Sequence, residues 1–149
     1  MIRLTGIENS PLFLEPHEVP GYWRLSQDSC VILHTNEGDI RASLSKGWVT
    51  DKRSGSDAIN WFVPKWDGPC SIYSAIVAFH DFAWSGWISR ELSDELLRQG
   101  MILSGLVSAR SAAIVKFTVD HIGHYYDLSE KLPGVYVFNR QKEKLTWTH

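Results

Sequence analysis

His80 and Asp81 stand side by side inside an apolar run, Ala75-Ile76-Val77-Ala78-Phe79-His80-Asp81-Phe82-Ala83-Trp84. Ionisable groups are costly on a buried helix unless they are paired or bind a metal, so two in succession demand partners. Asp94, on the next helical stretch, is the natural partner for His80, because a short link makes two helices antiparallel neighbours. A carboxylate that accepts from one ring nitrogen fixes the tautomer and raises the basicity of the other, which then takes a proton from water or a hydroxyl. His80 and Asp94 are thus the candidate catalytic pair. Asp81 projects about 100° further round the same helix, where a cation or a water could lie near both groups. On spacing alone a structural His80–Asp94 hydrogen bond beside a solvated or Arg-paired Asp81 is the preferred reading, because an HD dipeptide is a weak signal.

Asp51 and Ser54 form a second candidate group, a loop carboxylate and hydroxyl ahead of the helix that could close over its acidic end. Hard cations favour such oxygen ligands. The same residues also suit an Asx or Ser turn that satisfies local backbone amides. His121 and His124, flanked by Asp120 and Asp127, have a spacing that could bring two imidazoles to one helix face, and they read as its polar edge. Cys30 and Cys70 lack the CxxC pattern of a thiolate zinc site. The seven tryptophans suggest a packed core, to which most of them belong, plus an aromatic patch at Trp61, Phe62, Trp66, Trp84 and Trp87 able to dock a partner or lipid, with Trp61, Trp66 and Trp84 as candidate binding residues.

The elements that position these groups follow from periodicity. Residues 8–22 contain Pro11, Pro16 and Pro20 and read as an irregular lead-in that drapes over the surface and cannot form a central strand. Cys30 to Thr35 and the alternating Ile40, Ala42, Leu44 flank Asn36-Glu37-Gly38, which predicts a hairpin, and residues 47–50 extend its second strand. Helical spacing begins at Ser71, with Ile72, Ala75, Ile76, Phe79 and Ala83 on one face. A second helix starts near Ser89, turns Leu92, Leu96 and Leu97 inward and closes at Gln99-Gly100. A third spans roughly Ser108 to Tyr126. Val135 to Phe138 reads as a short strand and residues 140–149 as a polar tail.

The chain has 149 residues, enough for one domain with a real hydrophobic core. Fifteen basic residues against 17 acidic ones give no global reason to expect nucleic acid as a partner. No stretch is long and uncharged enough to span a bilayer, the N-terminus does not read as a secretory signal, and two cysteines make no disulfide framework.

The ordered elements Gly47-Trp48-Val49-Thr50-Asp51, Ser54, Ala78-Phe79-His80-Asp81-Phe82-Ala83-Trp84, Ser89-Arg90, Asp94 and Met101 resemble the phage and prophage family catalogued as domain of unknown function 1353, over about residues 45–125. That resemblance implies a phage or prophage origin, synthesis in a bacterial host cytoplasm and possible association with the virion. The same order is similar to a reduced bacterial phospholipase A-two pattern, in which a loop precedes an HD helix and an Asp follows on the next one. By that resemblance His80 is the general base, Asp94 orients it, Asp81 is a calcium ligand, and loop carbonyls near Asp51 to Ser54 complete the calcium shell. The sequence departs from that pattern at Lys52, where a glycine is expected, and Arg53 adds a second positive charge.

The expected fold is α+β, a single domain with an N-terminal β-hairpin or small antiparallel sheet packed on a three-helix core. Two functions compete. One is a virion- or tail-associated or host-interacting protein that binds a phage or host protein; the alternative is a metal-assisted hydrolase of esters, with lipid as a partner only in that case.

Overall fold

The computed structural model describes residues 1–52, 66, 68–83, 86–122 and 131–148. Strands occupy the N-terminal part and helices follow, a mixed α+β fold as expected. The strands are β1 (Leu4–Asn9), β2 (Leu14–Pro16), β3 (Trp23–Leu25), β4 (Ser29–Thr35), β5 (Gly38–Leu44), β6 (Val49–Thr50) and, at the far end of the chain, β7 (Glu143–Thr148). Among the described residues there are four helices, α1 (Ile72–Ala83), α2 (Arg90–Leu103), α3 (Ala109–Ile122) and α4 (Pro133–Gln141). None is long and apolar enough to cross a membrane.

The predicted hairpin is β4 and β5, with Thr35 paired to Gly38 across a tight turn and Ser29 to Leu44 at the open end. Gly38 has φ 111°, a backbone state that only glycine adopts without strain. The hairpin is the centre of an antiparallel sheet of order β1-β4-β5-β7. Val31, Leu33, Ile40, Ala42 and Leu44 are fully buried on its inner face, and they share one core with Ile76, Phe79, Phe82, Leu96, Leu97 and Met101 of α1 and α2. Each such side chain contributes roughly 1.5–3 kcal/mol on burial.

Five expectations need correction. The lead-in is not irregular: the end of β1 and all of β2 lie in it and Leu12 is 1% exposed, while the prolines confine β2 to an edge of the second sheet, β2-β3-β6. Residues 47–50 do not extend β5; the chain turns at Gly47 and Val49–Thr50 crosses to pair with β3. Val135 to Phe138 is helical, within α4, because Pro133 begins a helix that β-branched content alone would not predict. The polar tail is strand β7, in register with all of β5 from Asp39↔Thr148 to Leu44↔Glu143, burying Glu143 and partly Leu145 and Trp147.

Helix α2 starts where predicted, with Ser89 as N-cap and its Oγ accepting from the Leu92 amide. It does not close at Gly100. That glycine is buried against Ile76 of α1, and a Cβ built there would lie 2.2 Å from Ile76 Cγ1, so its role is close helix approach. Gln99 ties the same helix to β1, accepting from Leu4 N at 2.6 Å and donating to Ile2 O at 3.2 Å.

Candidate functional site

The close approach of α1 and α2 brings His80 and Asp94 together. His80 Nε2 lies 2.7 Å from Asp94 Oδ1. Both side chains are almost wholly buried, at 5% and 2% exposure. An ionised carboxylate accepts, and the imidazole tautomer that donates to it is the one with its hydrogen on Nε2. The sequence-level pairing of these residues is therefore present in the fold. Ser93, beside Asp94, is also fully buried and its hydroxyl has no hydrogen-bond partner among the described residues.

Asp81 looks toward β6. Thr50 Oγ1 donates a short hydrogen bond to Asp81 Oδ2, so the strand residue just before Asp51 grips the carboxylate next to the catalytic candidate. Burial raises the Asp81 carboxyl well above the usual range, and the nearby Asp51 charge raises it further; the Thr50 hydrogen bond opposes them, and Glu143 of β7 adds a smaller upward push. The charges of Asp51, in the loop, and Glu143, on the last strand, thus both act on Asp81, that of Asp51 more strongly.

What keeps that corner in place is a pair of hydrogen bonds from α4. Asn139 Oδ1 accepts from Val49 N and Asn139 Nδ2 donates to Val49 O, both at 2.8 Å, and Asn139 is 3% exposed. Trp48 Nε1 donates to Glu143 Oε2 at 3.3 Å, joining the same loop to β7. Neither Asn139 nor Glu143 is visible as a site residue in the sequence, since α4 and β7 read there as strand and tail.

The donor set at Asp81 consists of carboxylate and hydroxyl oxygens, which fits a hard cation such as calcium. Among the described residues no three His, Cys, Asp or Glu side chains are grouped so as to hold a metal ion. Lys52, which departs from the phospholipase-like pattern, has φ 60° and its Nζ sits 4.2 Å from the centre of the Trp23 ring, a cation–π contact.

Of the remaining candidates, Trp66 is half-buried and packs against the core. Ser54, Trp61, Trp84, His124 and Asp127 lie outside the described residues. His121 is placed on α3, where its Nδ1 donates to the Phe117 carbonyl at 2.8 Å and its ring stacks on Phe117. No family model matches the chain, and no curated protein or solved structure matches it.

Proposed function

We propose that the protein is a hydrolase of esters in which His80 is the general base. The observation that carries this reading is the buried His80–Asp94 hydrogen bond, set one residue from a carboxylate that Thr50 holds and on which the Asp51 charge acts. In this reading Nδ1 of His80 takes a proton from water as the water oxygen bonds to the ester carbonyl carbon, and the proton then passes to the departing alkoxide. Asp94 keeps the ring oriented and stabilises the imidazolium. Asp51 and Asp81 would hold a calcium ion, whose chemistry is to polarise the carbonyl and stabilise the oxyanion. The test is hydrolysis of nitrophenyl esters and phosphatidylcholine with calcium by the wild type and by His80→Ala, with circular dichroism to confirm folding. Turnover lost in a folded variant supports the reading; a folded wild type inert on both substrates overturns it.

A second reading, a phage-encoded virion, tail or host-binding protein, draws on the family resemblance and on the exposed apolar side chains Phe13, Leu106, Phe117 and Val137, at 45%, 52%, 64% and 56% exposure. A stoichiometric complex that survives His80→Ala and Asp81→Asn would favour it.

A further inference from the structure

Among the described residues, Lys52 is the one residue other than glycine with a positive φ, at 60°. That backbone state strains any residue with a Cβ and leaves glycine unstrained, and strain of this kind gathers at functional positions. The turn is fixed at the Asp81 corner: Lys52 N donates to Thr50 Oγ1 at 3.1 Å, and the same hydroxyl donates to Asp81 Oδ2. From there the side chain reaches β3, where Nζ lies 4.2 Å from the centre of the Trp23 ring. Trp23 stands directly opposite Thr50 in the β3–β6 register, and the side chains of such a pair leave the sheet on the same face. Because the Thr50 hydroxyl meets Asp81, the Trp23 ring and the ammonium over it lie on the face of the second sheet that meets α1.

The two cations on this sheet differ. Arg24 follows Trp23 and so occupies the opposite face, where Glu18 binds it at 2.7 Å and Glu15 at 3.3 Å. Lys52 has no acidic partner among the described residues. A cation–π contact orients an ammonium without neutralising it, so the charge stays available to an anion.

We propose that Lys52 is a specificity-determining residue, its ammonium binding the phosphate of a phosphate-bearing ester while the ester carbonyl lies at His80. The substrate rests on the hydrolase reading; the anion subsite does not. An ammonium is a compact point charge of the kind that binds phosphate. The carboxylates of Asp51 and Asp81 repel an anion, so Lys52 fixes which end of the substrate turns toward β3.

The experiment titrates the isotopically labelled full chain with inorganic phosphate, against chloride at equal ionic strength, following the Lys52 amide and Trp23 indole resonances by NMR. Phosphate, and not chloride, should shift both to saturation in the wild type. Lys52→Arg should keep the response and Lys52→Met should lose it; Lys52→Gly, which relieves the positive φ, should also lose it and serves if Lys52→Met fails to fold. In turnover, Lys52→Met should raise KM about tenfold for a phosphate-bearing nitrophenyl ester, with kcat unchanged and no effect on nitrophenyl acetate. Lys52-dependent binding of phosphatidylglycerol vesicles would assign the phosphate to a lipid headgroup, and of glycerol 3-phosphate alone to a soluble ester. No phosphate response in the wild type, or an equal one in Lys52→Met, would overturn the proposal. A Lys52-dependent response in a wild type inert on every ester would uphold the subsite and count against the hydrolase.

Discussion

His80 Nε2 lies 2.7 Å from Asp94 Oδ1 in a setting that solvent barely reaches. That relationship makes the two Asp94 substitutions behave differently. Asp94→Ala strips the buried imidazole of its acceptor, and an orphaned buried donor costs about 1–3 kcal/mol. Asp94→Asn can instead turn its amide to donate to Nε2, which moves the ring hydrogen to Nδ1. The expected outcome is a smaller loss of stability in urea for Asp94→Asn than for Asp94→Ala, but an inverted neutral tautomer by nitrogen NMR and loss of turnover in both. Equal tautomers in wild type and Asp94→Asn would contradict the assignment.

The second relationship is between Asn139 and Val49, whose backbone amide and carbonyl are both satisfied by one side chain at 2.8 Å. Asn139→Ala leaves two buried backbone groups without partners, and each such loss is worth about 1–3 kcal/mol. Because Val49 precedes Thr50, the variant should also loosen the Thr50–Asp81 hydrogen bond. Hydrogen exchange at the Val49 amide, with a urea melt alongside, would check this; protection equal to wild type would show that α4 does not hold β6.

Gly100 tests the helix contact that brings His80 to Asp94. Alanine is worth about 1 kcal/mol over glycine in a helix interior, yet a Cβ here would meet Ile76 Cγ1 at 2.2 Å and Ile76 Cβ at 2.9 Å. Overpacking of this kind costs about 1–3 kcal/mol, so Gly100→Ala should be net destabilising. Adding Ile76→Ala should recover part of that loss despite its own cavity. A Gly100→Ala variant more stable than wild type would mean the helices sit further apart.

These particulars show where sequence was informative. The hairpin, the Ser89 cap and the HD helix each carry a local signal: a turn beside Gly38, a serine hydroxyl before a helical run, apolar residues at helical spacing. His80 meeting Asp94 was legible because the link between their helices is short. Asn139 and Glu143 were not legible as site residues, since nothing local tells a buried tie from a surface polar group. Val135-Tyr136-Val137-Phe138 carries strand propensity, and tertiary context overrode it. The alternation in residues 143–148 is weak because its outward positions are Lys144, Thr146 and Thr148, so its pairing with β5 is a long-range fact.

At the Asp81 corner the like charges of Asp51 and Asp81 oppose each other when no cation is bound. Asp81→Asn removes that conflict while its side-chain oxygen still accepts from Thr50, so the variant should melt higher than wild type in chelator. Calcium should raise the wild-type melting temperature, with about 2.7 kcal/mol of stabilisation at one hundred times Kd, and leave Asp81→Asn unchanged. An equal calcium response in both proteins would remove Asp81 from the ligand set.

The Asp120 carboxyl has a consequence for stability against pH. Its folded carboxyl titrates above the ordinary value of 3.8, through burial first and the neighbouring Asp94 second. As pH rises through that interval the native state keeps a proton that the unfolded chain has released, so the bound-proton difference makes stability fall. Its favourable contribution is therefore greatest below 3.8 and is lost as pH rises through the raised folded value. Glu18, held down at about 2 mainly by its hydrogen bond to Arg24, and Glu95, held down mainly by Arg98, slope the other way and weaken the native state as pH falls. Subtracting the urea-derived profile of Asp120→Asn from that of wild type cancels those groups. The difference should decline with rising pH above 3.8 and then level off. A flat difference would mean that Asp120 titrates alike in folded and unfolded chains, and a rising one that Lys116 outweighs burial and Asp94.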